Sequence, residues 1–572
     1  MISFMSNAIE DAKLSTTQLR TGAQILVEQL KIHQVDHVFC VPGESYLAVL
    51  DALHDAEGIK IVTCRQEGGA AMMADAYGKL TGEPGICMVT RGPGATNASA
   101  GLHVAMQDST PMIVFIGQIA RNMVEREAFQ EIDYRRAFGQ VAKWVAQIDD
   151  PVRIPEFVSR AFHTATSGRP GPVVLALPED MLVEVAEAQN VRPYRRVDTE
   201  PGDRSLAELT SAMQQAKRPM VLLGGSGWDS EAVRNIELFA EHQQIPVATT
   251  FRRQDRFNNQ HPCYAGDVGI GINPKLAARV KDSDFLLVIG ARLGEMTTGG
   301  YTLINIPVPQ QFLVHVHPDP EELGRVYQPS LAITSSARPF AAKLASLPTL
   351  LNPTWAQWTG EANQDYQATL AMQTSPGKLQ MSQIMHWLSE TLPRDAIITN
   401  GAGNFTTWVH RFFQYKGFGT QLAPTSGSMG YGVPAAIAAK IIDPTRTVVC
   451  VAGDGDFMMT SQELATAAQN QLGIIILIVN NGMYGTIRMH QERHYPARVV
   501  ATDLLNPDFV MLARSYGAYA ELVETTEQFA PAFERARATN GLAVLELKID
   551  PQALTIKQSL SEIRAVALQA KP

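Results

Sequence analysis

Gly453-Asp454-Gly455-Asp456 follows the apolar run 448–452, and further along Asn480-Asn481-Gly482 breaks a second apolar run at 474–479. Each run has the length and β-branched content of a buried parallel strand, and each ends in turn-forming residues. Residues 461–470 between them have the composition of a helix. If the two strands are neighbours in one parallel sheet, Asp454 and Asn481 emerge at the same carboxyl edge, where open α/β sheets bind ligands. One carboxylate and one amide oxygen suit a small hard cation. Mg²⁺ takes oxygen ligands and is commonly shared with phosphates. A Gly-Asp-Gly taken alone is a weak signal, since such turns are frequent in ordinary loops.

The elements that must position these residues are legible as short apolar strands alternating with helical segments, the pattern of βαβ units. Residues 38–41, 59–63, 85–90, 112–116 and 172–177 make one set of strands; 219–223, 246–249, 285–289 and 311–316 make a second; 396–399, 447–451, 474–479 and 543–547 make a third. Polar, proline-bearing stretches at 192–204 and 347–380 read as connectors, the second with a helical segment of its own. A chain of 572 residues exceeds what one hydrophobic core serves. The expected architecture is α/β, with three doubly wound parallel-sheet domains at 1–190, 200–350 and 375–572. A net charge of −9 argues against a nucleic-acid surface. No apolar run reaches the length of a membrane helix. Residues 1–13 hold Asn7, Glu10 and Asp11 where a signal peptide needs an apolar core, so they read as a loose leader. The five cysteines show no Cys-x-x-Cys spacing, and a reduced cytoplasmic setting is expected.

The Gly-Asp-Gly closed by Asn-Asn resembles the thiamine diphosphate signature. Over nearly the whole chain the order of motifs is similar to the acetolactate synthase branch of thiamine diphosphate enzymes, which also holds pyruvate oxidase, benzoylformate decarboxylase and benzaldehyde lyase. The resemblance implies pyrimidine-binding, central (with a possible FAD site) and diphosphate-binding domains in that order. It implies thiamine diphosphate and Mg²⁺, with Asp454 and Asn481 as side-chain ligands and Met483 through its carbonyl. Glu67, in Cys64-Arg65-Gln66-Glu67-Gly68-Gly69, matches the catalytic glutamate that favours the imino form of the cofactor's aminopyrimidine. As a bare residue it is equally a first-turn glutamate favoured by the helix dipole. The small residues behind it would admit a cofactor or a second subunit. Met429, in Ser428-Met429-Gly430, matches the residue that props thiazolium against pyrimidine, although a methionine also fills plain core space. Gly427 would offer its carbonyl to the pyrimidine amine. Gly403, Asn404 and Phe405 resemble the first diphosphate contact, with Asn404 still able to donate and Phe405 contributing only its backbone. Gly453, Gly455, Asp456, Tyr484 and Gly485 complete the diphosphate side. On the pyrimidine side stand Gly43 and two residues of Arg91-Gly92-Pro93-Gly94-Ala95-Thr96-Asn97, Pro93 and Asn97.

Gln118, Phe129 and Gln130 match the donor-side motifs, and Lys143 falls at a substrate-channel lysine, though a lone lysine is more simply a surface residue. The implied donor is a small 2-oxo acid, pyruvate first among them, with an aldehyde or ketone as acceptor. On the acceptor side the chain departs from the synthases: Thr486 stands at a methionine position, His490 at a tryptophan position, and Met296 replaces the second arginine of the central-domain motif. His490 is a local acid or base if it faces the cofactor, and a surface histidine if it does not. FAD stays open, because Gly224, Gly225, Arg292 and Asp319 echo its site while Gly269-Ile270-Gly271 replaces the usual loop. The family also implies an obligate homodimer, paired into a homotetramer, with Glu67 from one chain and Asp454 from another. Rival readings are a simple 2-oxo acid decarboxylase, a benzaldehyde lyase-type enzyme on larger or aromatic substrates, a flavin-dependent oxidase and an inactive regulatory partner.

Overall fold

The computed structural model describes residues 19–351 and 353–570, so the leader expected at 1–13 lies outside the described residues. The first strands are β1 Leu19–Thr21, β2 His37–Cys40, β3 Lys60–Thr63, β4 Gly85–Val89, β5 Met112–Gln118, β6 Trp144–Gln147, β7 Pro172–Pro178 and β8 Val185–Glu187. There follow β9 Pro219–Leu223, β10 Val247–Thr250, β11 Tyr264–Val268, β12 Phe285–Ile289, β13 Phe312–His317 and β14 Leu331–Thr334. The last are β15 Ile397–Asn400, β16 Gln421–Leu422, β17 Val448–Gly453, β18 Ile474–Asn480, β19 Tyr519–Val523 and β20 Ala543–Lys548.

Three six-stranded sheets result, ordered β3-β2-β4-β5-β7-β6, β11-β10-β9-β12-β13-β14 and β16-β15-β17-β18-β20-β19. All of their pairings are parallel. In each sheet the chain starts near the middle and winds both ways, so the fold is α/β with three doubly wound sheets. β1 and β8 add a short antiparallel ribbon. One compact unit ends at Val197 and carries the first sheet; the second begins at Asp198 and carries the other two. Among the described residues no helix is long and apolar enough to cross a membrane.

Besides the β1–β8 ribbon, five strands of the three large sheets are missing from the sequence reading: β6, β11, β14, β16 and β19. Each lies at a sheet edge, where one side is unpaired. β14 alternates buried and exposed positions, and β16 is only two residues long.

Two packing details place the site. In the first unit the helix Glu67–Thr81 lies against the helix Pro93–Asp108 so closely that a Cβ on Gly101 would stand 2.4 Å from Ala71 Cβ. The small residues behind Glu67 therefore allow this close helix contact. In the third sheet Gly453 lies opposite Val479 and Asn400 opposite Val451, so the turns after β15, β17 and β18 leave one edge together.

Candidate functional site

At the carboxyl edge of β15, β17 and β18 a cavity of about 230 Å³ is lined by Gly403, Asn404, Gly427, Met429, Asp454, Gly455, Asn481, Met483 and Tyr484, among others. Its floor is made by close turns. A Cβ on Gly455 would meet the Tyr484 ring at 2.6 Å, and one on Gly485 would meet Asn481 Nδ2 at 2.8 Å, so a side chain at either would displace a wall residue. Gly427 has φ +70°, a left-handed turn that suits glycine. Asp454 is buried, and its Oδ2 accepts from Gly482 N at 2.9 Å and from Asn506 Nδ2 at 2.8 Å. Burial pushes its carboxyl upward, opposed by the Asn506 and backbone hydrogen bonds. A cation here would restore the charge that burial disfavours. Asn481 Oδ1 accepts from Met483 N at 3.1 Å. One carboxylate, one amide oxygen and neighbouring backbone carbonyls form an oxygen donor set of the kind Mg²⁺ takes. The paired asparagines divide their work: Asn480 Nδ2 donates to Glu546 at 2.7 Å within the sheet, and Asn481 faces the cavity.

Asp456 is also buried, with Oδ1 accepting from Gly430 N at 2.8 Å and Ala402 N at 3.1 Å. Burial pushes its carboxyl up to about 7, against the pull of those N–H groups and Arg252. Its Oδ2 is buried without a hydrogen-bond partner. A Cβ on Gly401 would overlap Asp456 Oδ1 at 2.0 Å, so the carboxylate and that glycine require one another.

In the first unit Glu67 opens its helix, with Gln66 as N-cap accepting from Gly69 N at 3.1 Å. Asn97 Nδ2 donates to Glu67 Oε2 at 2.9 Å, and a Cβ on Gly94 would stand 3.2 Å from Glu67 Oε1. The Pro93-to-Asn97 turn thus holds the glutamate. Gly43 belongs to the same edge, since a Cβ there would strike Thr90 at 2.4 Å.

Residues 20–137 match Thiamine pyrophosphate enzyme, N-terminal TPP binding domain; residues 206–344 match Thiamine pyrophosphate enzyme, central domain; residues 401–547 match Thiamine pyrophosphate enzyme, C-terminal TPP binding domain. The acetolactate synthase large subunit of Corynebacterium glutamicum is 33% identical over 548 residues, covering 92% of this chain and 86% of that one. The probable acetolactate synthase large subunit of Methanocaldococcus jannaschii is 32% identical, over 93% of this chain and 92% of its own length. Acetolactate synthase isozyme 2 large subunit of Escherichia coli is 30% identical, over 92% and 95%. This chain belongs to the thiamine pyrophosphate enzyme family.

For a thiamine pyrophosphate (thiamine diphosphate) enzyme the donor set and glycine turns at Asp454 fit the cofactor's Mg²⁺-diphosphate end. Several expected contacts take other roles. The Asn404 amide is spent internally: Nδ2 donates to Leu554 O at 3.0 Å and lies 3.4 Å from Met489 Sδ, while Oδ1 accepts from Thr486 Oγ1 at 3.0 Å. In this structure its side chain supports the cavity wall. The Phe405 ring packs where Cβ atoms on Gly403 and Gly453 would sit, each at 2.9 Å, and so shapes both turns. Thr486 lines the cavity. His490 is exposed, is not among the cavity-lining residues and stacks on His494, so the structure supports its surface reading. Partial burial, Arg493 and His494 hold its pKa below the ordinary histidine value.

In the first unit Gln118 is buried and bonded to Ile132 O at 3.0 Å, whereas Phe129 is exposed. Gln130 backbone crowds Gly92, placing it beside the Pro93 turn. Lys143 Nζ donates to Thr164 O and Ser167 O, both at 2.6 Å, at the end of the helix Ile154–Thr166. That is a capping role and gives no support to a substrate cation. Gly224, Gly225, Arg292 and Asp319 share the carboxyl edge of the second sheet, in turns tightened by local contacts. Gly224 O accepts the Trp228 indole N–H at 2.8 Å, a Cβ on Gly225 would overlap Gly290 O at 1.9 Å, and Asp319 caps Glu321 N at 3.0 Å.

Asn506 is a site residue the sequence reading missed. Its only sequence signal is Leu505-Asn506-Pro507-Asp508, a turn before the helix Phe509–Ser515. Asn506→Ala should weaken Mg²⁺-dependent thiamine diphosphate binding by about 10–100-fold, the usual cost of an outer-shell partner. Calorimetric titration with Mg²⁺ present would read it, and unchanged affinity would remove Asn506 from the site.

The C-terminal helix Leu560–Ala570 packs on the helix Gly485–His494 through Leu554, Met489, Leu560 and Ile563. Glu492, fully buried, ties them: Arg564 Nε donates to its Oε2 at 2.8 Å, Arg564 Nη2 to its Oε1, and Ala497 N to Oε2 at 2.9 Å. The Arg564 hydrogen bonds hold Glu492 down at about 2. A folded pKa below the unfolded value gives stability that is complete above the unfolded pKa and is lost as pH falls through about 4.5 toward 2. Glu492→Gln should therefore cost about 2–3 kcal/mol at pH 7. In urea denaturation the gap should shrink between pH 5 and about 2.

Proposed function

We propose that this enzyme uses thiamine diphosphate and Mg²⁺ to decarboxylate a small 2-oxo acid, pyruvate first among them, and joins the acyl unit to an aldehyde or ketone. The convergence of Asp454 and Asn481 on one glycine-walled cavity carries the reading. Its relatives' printed names supply the reaction class. Bound thiamine diphosphate supplies an electron sink for the electrons left when CO₂ departs. Asp454 and Asn481, with the Met483 carbonyl, hold Mg²⁺. Glu67, fixed by Asn97, would exchange a proton with the cofactor's pyrimidine ring. The Gly427 carbonyl would receive the pyrimidine amine, and Met429 would shape the bound cofactor. Thr486, a hydroxyl where the synthases carry methionine, makes the acceptor side more polar.

The reading includes a homodimer, paired into a tetramer, with Glu67 supplied by one copy and Asp454 by another. The five free, buried cysteines support a reduced cytoplasmic setting. FAD is not needed.

CO₂ release from a donor series tests the reading, with Mg²⁺ and thiamine diphosphate added. Release from pyruvate supports it. Release from benzoylformate and not pyruvate would replace it with an aromatic 2-oxo acid decarboxylase activity.

A further inference from the structure

Residues 252–259, Arg-Arg-Gln-Asp-Arg-Phe-Asn-Asn, follow β10 of the second sheet and are dense in charge, yet Arg252, Arg253, Gln254, Asp255, Arg256 and Asn259 are all buried. Buried charge is rare unless it is paired and put to use. Here the partners lie largely in the third sheet's part of the same compact unit. Arg252 Nη1 donates to Pro424 O at 2.5 Å. That carbonyl also accepts from Gly427 N at 3.1 Å, so Arg252 grips the turn that presents Gly427. Asp255 Oδ2 accepts from Gly419 N, Thr420 N and Gln421 N at 3.0, 3.2 and 3.3 Å, holding the backbone that enters β16. Gln254 exchanges hydrogen bonds with Gln421 and donates to His410 O at 2.7 Å, on the helix Thr406–Phe412.

Arg252 itself has φ +57°, a left-handed conformation costly for a residue with a Cβ. Such strain persists only where the surroundings over-determine it. The hydrogen bonds from Arg252, Gln254 and Asp255 supply that determination.

We propose that residues 252–255 form a clamp that presets the cofactor turn, with Arg252 and Asp255 as positioning residues for thiamine diphosphate. The clamp acts through Pro424 and β16 on Gly427 and Met429, and touches no reacting atom. A turn fixed in advance loses less freedom when it closes on a ligand, so the clamp raises cofactor affinity. The second sheet thereby contributes to cofactor binding. This inference rests on the thiamine diphosphate reading of the cavity and on nothing about the 2-oxo acid.

The test is calorimetric titration of the full-length protein with thiamine diphosphate in Mg²⁺, beside the melting temperature of the cofactor-free protein. Arg252→Met should raise the Kd at least about tenfold, and Arg252→Lys, which keeps the charge and loses the planar fork, about threefold. Phe239→Leu, in the core of the second sheet, should lower the melting temperature and leave the Kd unmoved. A Kd unchanged in both Arg252 variants, or rising equally in Phe239→Leu, overturns the clamp. If Arg252→Met does not fold, Arg252→Lys decides alone. A wild-type protein that binds no thiamine diphosphate sinks the cofactor reading itself, an outcome distinct from tight wild-type binding with unaltered variants.

Discussion

Glu67→Gln is expected to leave a folded protein that turns over about 10²–10⁴-fold more slowly, the usual worth of a positioned acid or base. Two effects compete in this substitution. Loss of a negative charge at the first residue of the helix Glu67–Thr81 costs about 0.3–1 kcal/mol of helix–dipole energy. The Asn97 hydrogen bond survives, because glutamine can turn its carbonyl oxygen toward Asn97 Nδ2. The fold is therefore nearly untouched. The proton-holding ability is removed outright, which is the larger effect by several-fold in free energy. Melting temperature and cofactor affinity near wild type, with turnover lost, is the expected pattern. Near-normal turnover would mean that Glu67 is only a first-turn glutamate.

Asp454→Asn should bind Mg²⁺ and thiamine diphosphate more weakly than any loss of an outer-shell partner, exceeding about 100-fold. Asparagine retains an oxygen for Gly482 N and Asn506 Nδ2, so no buried donor is orphaned. Asp454→Ala would orphan both, at about 1–3 kcal/mol each, and confuse binding with stability. Because burial disfavours the Asp454 charge, the neutral amide should leave the cofactor-free protein at least as stable as wild type. Calorimetry with and without Mg²⁺, paired with thermal melting, separates the two effects. Wild-type affinity in Asp454→Asn would remove this carboxylate from the metal site.

The central strands were legible because both faces of a parallel sheet are covered: β17 and β18 are buried throughout, and their sequences are continuous apolar runs. β6, β11, β14, β16 and β19 were not, because an edge strand is shorter or carries polar positions. At the site, Asp454 and Asn481 announce themselves by falling at the ends of those central strands. Asn506 reaches Asp454 only through the tertiary path of the chain, so no local pattern marks it. Asn404 and Lys143 show the converse: each has protein partners that the sequence does not display. The charged stretch after β10 carries no local mark of its burial, because its partners are backbone groups distant in sequence, around β16.

The most direct test is ¹³C NMR of the products formed from [2-¹³C]pyruvate with thiamine diphosphate and Mg²⁺. Decarboxylation followed by ligation joins two labelled carbons, so the account predicts one-bond ¹³C–¹³C coupling in an acetolactate- or acetoin-type product. Labelled acetaldehyde as the sole product, without that coupling, would contradict the carboligase reading.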